Sequence, residues 1–210
     1  HFHLPLSISF DKKLIWKPKK KQIKKIGIFT RLTHAKPIDI FLYALHLINE
    51  DNNNIILNIY GNGDPKEFDL PRKIQYLSLG NNVFFKGDQE NIKESAIRDE
   101  LDLVWFHGYH ETPGGFASFD ISSIALPQIF WNFSTSYDKP KQNIFPMFSK
   151  LSKFIKASCE ILYEPEKAID LGKKQFNHVF ENRNMSSNIK MLENTLLNEE
   201  KKNNSHNKSK

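Results

Sequence analysis

An apolar segment that ends in two cationic side chains constrains this chain most. Gly27–Phe29 runs into Thr30-Arg31, Lys36 follows five residues after Arg31, and Pro37 then precedes an apolar, helix-like stretch. In an open α/β sheet the carboxyl end of a strand faces a crevice, where long cationic side chains can reach a ligand diphosphate. The planar guanidinium of Arg31 can bind two oxygens, and Lys36 adds a compact charge. Because arginine and lysine also occur together in ordinary surface loops, this interpretation needs support from other segments.

A second candidate segment surrounds the pair Gly114-Gly115. It follows the strand-like 101–106 and precedes an amphipathic stretch that ends at Leu126-Pro127, which gives the order strand, glycine turn, helix, strand. Glycines at a helix start let the backbone approach a ligand closely, and the free N–H groups there favour an anion or a sugar hydroxyl. The alternative is an ordinary tight turn, which glycine pairs often form.

Apolar runs and helical stretches alternate along the chain, and this rhythm is typical of βαβ units. The pattern predicts an α/β fold, a Rossmann-like parallel sheet with helices on both faces. The predicted strands are 26–30, 55–60, 83–85, 101–106, 127–131 and 160–163. The predicted helices are 37–50, a weaker one before the third strand, a polar one after Asn91, one through Asp120, and 145–156, 165–180 and 184–197.

The chain divides by composition into three parts. We expect residues 1–25 to be an interdomain linker, 26–198 the folded domain and 199–210 a disordered polar tail. The chain begins with His1 rather than methionine, and its opening residues read like a connection entered in the middle. A fragment that lacks a further domain is therefore the expectation.

From about residue 26 to 198, the order of motifs resembles the C-terminal, donor-binding domain of GT-B glycosyltransferases, in particular the retaining enzymes of glycosyltransferase family 4. That family has Gly-Arg-Leu and then Lys-Gly at the spacing of Arg31 and Lys36, although Thr30 and Pro37 replace the two glycines. Its Gly-x-Gly-Pro strand end is similar to the segment from Gly61 to Pro65, and its Val-x-Phe-x-Gly strand to 83–87.

The resemblance implies roles for these residues. Arg31 and Lys36 would bind the donor diphosphate, and the Gly61 turn would lie beside them. Backbone groups of the strand that contains Val83, Phe85 and Gly87 would line the base pocket.

The second half of the family signature is altered in this chain. The family has two glutamates separated by seven residues, and counting back from Pro127 places Asp120 at the second and Thr112 at the first, with Glu111 one residue early. Either a one-residue shift in the turn restores the carboxylate, or the sugar contact differs. Ala125 stands where the family has glycine. The resemblance implies that Asp120 bonds a ribose hydroxyl and that the turn holds the sugar and phosphates. The predicted donor-binding residues there are Thr112, Gly114, Gly115, Phe116 and Asp120. Glu111 is predicted to be catalytic, together with Arg31 and Lys36.

By this resemblance, the chain binds a nucleoside-diphosphate sugar for retaining transfer to an acceptor, expected to be a surface glycan precursor, without a cofactor or metal. A UDP-sugar is the default expectation, since the sequence does not separate uridine, guanosine and adenosine donors. A missing N-terminal acceptor domain would be a partner. Two alternatives stay open: an inactive nucleotide-sugar binding module, and another GT-B reaction such as sugar-nucleotide epimerisation or phosphorolysis.

The remaining residue patterns restrict metal, disulfide and partner chemistry. His107 and His110 lie three residues apart, but no cysteine or carboxylate cluster completes a zinc site. Their aromatic neighbours favour a packing role for both histidines. The single Cys159 forms no internal disulfide and lies beside an apparent strand, which predicts buried packing.

A net charge of +6 is concentrated in a basic run from Lys17 to Lys25. The run is typical of a solvated linker, with peripheral contact to an anionic membrane as the second interpretation. No nucleic-acid motif accompanies it. No segment is long and apolar enough to cross a bilayer, and we expect a cytoplasmic protein.

The segment from Met185 to Leu197 carries an apolar stripe at helical spacing. In GT-B enzymes the last helix commonly crosses back to the N-terminal domain, so the resemblance suggests docking there. The residues alone favour packing on the same domain.

Overall fold

A parallel sheet flanked by helices forms the body of the molecule. The computed structural model describes residues 7–11, 13–50, 54–108, 115–133 and 144–207, with side chains described as far as 197. The strands are β1 Lys24–Phe29, β2 Ile55–Tyr60, β3 Val83–Gly87, β4 Leu103–Gly108, β5 Gln128–Asn132 and β6 Met147–Phe148. The helices are α1 Asp39–Glu50, α2 Leu70–Tyr76, α3 Ile92–Arg98, α4 Phe116–Ser122, α5 Leu151–Tyr163, α6 Pro165–Arg183 and α7 Met185–Asn207, with a 3₁₀ turn at Pro65–Phe68.

The strand order β3-β2-β1-β4-β5-β6 places β1 and β4 at the centre, and every pairing in this sheet is parallel. Apolar side chains of α1, α2 and α5 cover one face, and those of α3, α4 and α6 cover the other. All six residues of β4 are buried, as expected for a strand covered on both faces. The predicted α/β class with helices on both faces is confirmed.

Residues 7–11 and 13–25 include parts of the folded body, although the sequence predicted a linker over 1–25. Ile8 and Trp16 are buried in the core of the second face. The indole N–H of Trp16 donates to the Leu101 carbonyl at 2.8 Å, and the Ile8 amide donates to the Arg183 carbonyl at 2.9 Å. The contacts of Ile8 and Trp16 join residues far apart in the sequence, so composition alone did not reveal them.

The basic run lies at the amino edge of the sheet, where acidic groups hold much of it. Lys21 lies 3.0 Å from the carboxylate of Asp102, and Lys24 lies 3.9 Å from the same group. Lys19 pairs with Glu100 at 2.5 Å. The run is therefore partly a structural clamp on the turn before β4, and its contact with an anionic membrane stays a prediction.

Two predicted elements near the sixth strand were wrong. The strand expected at 160–163 is the end of α5, because Phe154, Ser158 and Leu162 recur at helical spacing and are buried together. The helix expected at 145–156 begins only at Leu151, after the two-residue strand β6. Cys159 consequently lies on a helix and is half-buried.

The last helix, α7, continues to Asn207, nine residues into the segment predicted as a disordered tail, because no glycine or proline interrupts it. Its large apolar side chains Met185, Ile189, Met191, Leu196 and Leu197 are exposed. The expectation that this stripe packs on its own domain is therefore wrong. Within the described ranges, no helix is both long and apolar enough to span a membrane.

Ala125 has a backbone conformation that disfavours alanine. Its φ is 58°, in the left-handed region, where a Cβ atom crowds the backbone. Ala125→Gly should therefore raise the free energy of unfolding by about 1 kcal/mol, measured by urea denaturation. Ala157→Gly, inside α5, is the control and should lower it by about 1 kcal/mol. A less stable Ala125→Gly variant would contradict the conformational argument.

Candidate functional site

The segments that follow β1 and β2 remain paired beyond the ends of the strands. The Thr30 amide donates to the Tyr60 carbonyl at 2.9 Å, and the Leu32 amide donates to the Asn62 carbonyl at 2.9 Å. The Gly61 amide donates to the Gly87 carbonyl at 2.8 Å, which ties in the end of β3. Arg31 thus lies between two anchored amides, so its backbone is held as firmly as that of a strand residue.

This close pairing requires glycine in the second segment. Gly61 has a φ of 136°, and a Cβ atom there would lie 1.8 Å from the Thr30 carbonyl oxygen. Gly63 has a φ of 124°, and its Cβ would lie 2.7 Å from Cβ of Leu32. The two glycines of the Gly61-Asn62-Gly63 turn therefore allow the Arg31 segment to approach, which is a physical reason for a Gly-x-Gly pattern at this place.

Aromatic stacking and a hydrogen-bonded carboxylate support the same junction. The rings of Phe29 and Tyr60, the last residues of β1 and β2, stack at 4.5 Å. The Tyr60 hydroxyl donates to Asp99 at 2.7 Å and accepts from Asn58 at 3.1 Å. Burial and the bond to Asp99 raise the pKa of Tyr60 above its ordinary value, so the hydroxyl remains a donor. The strand ends beneath Arg31 are thus fixed by side chains as well as by backbone bonds.

Arg31 and Lys36 present their charges at this edge. Arg31 is exposed and Lys36 is half-buried. Within the described parts of the chain, neither side chain forms an ion pair. Lys36 also borders a cleft of about 230 Å³ that lies between this segment and the 3₁₀ turn. Two cations at the carboxyl edge of a parallel sheet, with no counter-ion among the described residues, are suited to an anionic ligand.

His107 lies behind Lys36 and has a structural role. Its Nε2 lies 3.0 Å from the Pro37 carbonyl, and its ring stacks on Phe133 at 5.2 Å and meets Phe41 edge-on at 5.1 Å. Burial lowers the pKa of His107 to about 4, more than the Pro37 carbonyl raises it, with a smaller lowering by Lys36. At neutral pH the imidazole is uncharged and donates to Pro37, which fixes the start of α1. The aromatic packing agrees with the role predicted from the sequence.

The amino end of α4 carries part of the second predicted set. Gly115 precedes the helix with a φ of 79°, and Phe116 projects into solvent. Asp120 lies one turn further and is 3.9 Å from Lys93. Burial raises the pKa of Asp120, which Lys93 partly opposes. The predicted residues Glu111, Thr112 and Gly114 lie outside the described residues, so their roles stay predictions.

The predicted base-pocket strand is divided between the two edges of the sheet. Gly87 lies at the carboxyl end of β3, bonded to Gly61, and Phe85 is partly exposed near it. Val83 begins β3 and is buried in the hydrophobic core. The structure therefore brings Arg31, Lys36, Gly61 and Gly87 to one edge and leaves Val83 at the other. In the described ranges, no three side chains of His, Cys, Asp or Glu converge as a metal site would require.

The comparisons with known proteins show the fold. No protein-family model matches the sequence, and no curated protein matches it. Among solved structures, the lipopolysaccharide outer core galactosyltransferase WaaB is 13% identical with a TM-score of 0.69, covering 94% of this chain and 56% of that one. Sucrose-phosphate synthase from Thermosynechococcus elongatus is 17% identical with a TM-score of 0.68, covering 92% and 52%. HepE of Anabaena, solved in complex with UDP and glucose, is 16% identical with a TM-score of 0.66, covering 84% and 49%.

These similarities confirm the predicted Rossmann-like domain of the GT-B glycosyltransferase fold. At such identities they establish the fold alone, because one fold hosts many functions. The chain spans between 49% and 56% of the length of these three structures. Membership of glycosyltransferase family 4 and the roles of the individual site residues stay predictions.

Gly61 offers a direct test of the paired segments. Gly61→Ala should lower the free energy of unfolding by about 3 kcal/mol or more, because the new methyl group overlaps the Thr30 carbonyl and the backbone conformation is strained. The control is Gly80→Ala, where a Cβ atom meets nothing within 4 Å. It should change stability by less than about 1 kcal/mol. Equal stabilities of the two variants in urea would contradict the pairing.

The lowered pKa of His107 predicts that the folded protein loses stability in acid. A folded pKa of about 4, below the ordinary 6.5, means that the unfolded chain binds the proton first. Stability from this group is complete above pH 6.5 and falls as the pH drops towards 4, by up to about 3 kcal/mol.

The non-titrating variant His107→Gln, which keeps an N–H donor for Pro37, should lack this part of the acid dependence. Urea titrations of both proteins across the pH range measure the difference. Identical pH profiles would show that His107 titrates normally.

Proposed function

We propose that this chain is the nucleotide-sugar donor-binding domain of a glycosyltransferase. The observation that carries the proposal is the paired carboxyl edge, where the Thr30–Leu32 segment holds Arg31 against the Gly61–Gly63 turn with no acidic partner in the described chain. A nucleoside diphosphate supplies the anionic oxygens that this edge lacks. The similarity to structures such as HepE with UDP and glucose supports the same class of ligand.

Arg31 and Lys36 have complementary roles in this proposal. Breaking the bond between a sugar and a nucleoside diphosphate leaves negative charge on the departing oxygen. Cations that are already in position stabilise this charge in the transition state without reorganisation. Arg31 binds two phosphate oxygens through its guanidinium, and the mobile ammonium of Lys36 follows the charge as it develops.

The residues around the amino end of α4, on the same carboxyl side of the sheet, hold the rest of the donor. The Asp120 carboxylate accepts a hydrogen bond from a ribose hydroxyl. Its side chain is partly exposed beside Lys93, which leaves room for the ribose. Gly115 and Phe116 border the sugar and phosphates, together with Glu111, Thr112 and Gly114. Backbone groups of Phe85 and Gly87 line the pocket for the nucleobase, and the Gly61 turn lies beside Arg31 and Lys36. Transfer proceeds with retention of anomeric configuration and without a metal, to a surface glycan precursor bound by a second domain.

The exposed apolar stripe of α7 supports the proposal that a second domain packs on this one. Its large apolar side chains lie uncovered along the helix, and burying them on another domain would remove this surface from water. We also place the action of the protein in the cytoplasm.

One observation favours the alternative of a binding module without catalysis. The sequence places Thr112 where the family has a glutamate, and the neighbouring Glu111 is one residue early. Donor binding with no transfer in the complete protein would identify this case.

Arg31→Ala tests the proposed phosphate site. Calorimetric titration of the chain with UDP, GDP and ADP, without added metal, should show selective binding of one diphosphate. The variant should bind it roughly 10- to 150-fold more weakly, since a hydrogen bond to a charged group contributes about 1.5–3 kcal/mol.

The control is Lys173→Ala, which removes an exposed lysine from α6, and it should bind as the original chain does. Unchanged affinity in a folded Arg31→Ala variant would refute the role of Arg31.

A further inference from the structure

A groove on one helical face continues from the candidate phosphate segment. Helices α1 and α2 each connect parallel strands and therefore run in the same direction. Lys73 of α2 and Asp39 of α1 form an ion pair at 2.5 Å. This pair borders two adjoining clefts, the one of about 230 Å³ that begins at Lys36 and another of about 320 Å³ further along the helices. The groove thus leads from Lys36 across the ion pair towards the far ends of both helices.

Two tyrosines stand at the far end of this groove. Tyr43 lies one turn beyond Asp39 on α1, and Tyr76 lies one turn beyond Lys73 on α2. They are 49% and 83% exposed, and both line the second cleft. Exposed tyrosine rings on both sides of a cleft offer two flat apolar faces with hydroxyl groups at their rims. With so little of its surface covered, Tyr76 contributes little to the packing of the described part of the domain.

Charged groups of both signs line the same clefts. Asp69 and Arg72 border the second cleft, where the Arg72 guanidinium lies 3.7 Å from the Asp69 carboxylate. Glu67 borders the first cleft. A groove with mixed donors and acceptors is poorly suited to a purely anionic or purely apolar ligand. It is suited to a ligand with an apolar ring face and many hydroxyl groups, each of which both donates and accepts hydrogen bonds.

We infer that the α1–α2 groove binds an oligosaccharide, with pyranose rings against Tyr43 and Tyr76. The inference rests on the proposed function in one respect: the continuity with Lys36 makes the natural ligand the remote sugar units of the acceptor or product glycan. In this arrangement the domain that binds the donor also holds part of the glycan chain.

Saturation-transfer NMR of the chain with maltotetraose, cellotetraose and chitotetraose tests the groove without any nucleotide. At least one of these oligosaccharides should bind. Tyr76→Ala and Tyr43→Ala should each weaken binding by roughly three- to tenfold, the effect expected of one aromatic contact. Tyr76→Phe keeps the ring face and should retain most of the affinity. Tyr163→Ala, which removes a tyrosine of similar exposure at the end of α5, is the matched control and should bind normally.

Arg31→Ala separates the two proposals. It should lose affinity for the nucleoside diphosphate but bind the oligosaccharide as before. Failure of all three oligosaccharides to bind, or binding that Tyr43→Ala and Tyr76→Ala leave unchanged, would overturn the groove assignment alone. Oligosaccharide binding by a chain that binds no nucleotide would overturn the donor-site proposal and leave the groove as a saccharide site.

Discussion

The continued pairing of the chain beyond the ends of β1 and β2 is the constraint on which the candidate site depends. Two amide hydrogen bonds, one from Thr30 and one from Leu32, extend the parallel ladder past Arg31 into what would otherwise be a loop. The pairing is sterically open only because Gly61 and Gly63 carry no side chain. The Phe29–Tyr60 stack and the Tyr60–Asp99 bond support it from below. A flexible arginine is thereby attached to a rigid backbone, which lowers the entropic cost of holding a ligand.

The distribution of charge in the molecule favours anion binding at the carboxyl edge of the sheet. At the amino edge of the sheet, lysines of the basic run pair with Asp102 and Glu100, so their charge is partly neutralised within the fold. At the carboxyl edge, Arg31 and Lys36 form no ion pair in the described chain. The basic run is therefore partly structural, while Arg31 and Lys36 lie at the carboxyl edge with no ion-pair partner among the described residues. Local pairing is more informative here than net charge.

Much of the fold was predictable because each central strand is a continuous apolar run between polar turns. Prediction failed where the same pattern fits two structures: residues 160–163 are apolar enough for a strand but belong to a helix whose buried face began at Phe154. The short strand β6 has too few residues to show a period. The buried role of Trp16 depends on a hydrogen bond to the distant Leu101, which no local pattern reveals.

The candidate site shows the same division between local and distant information. Arg31 and Lys36 could be found from the end of an apolar strand, and the Gly61 turn from its Gly-x-Gly pattern. The reason for the glycines, a close approach to Thr30 and Leu32, appears only when the two strands are placed side by side. Tyr43 and Tyr76 were missed because they are far apart in sequence and line one cleft only in the folded domain.

The most direct test of the central claim is an NMR map of nucleotide binding on the isotope-labelled chain. The account predicts that UDP, or whichever of UDP, GDP and ADP binds, shifts the amide resonances of residues 30–36, 61–63 and 115–116. Resonances of the amino-edge segment 19–25 should stay unchanged. Shifts confined to the amino edge, or absent with all three nucleotides, would contradict the assignment of the paired carboxyl edge as a diphosphate site.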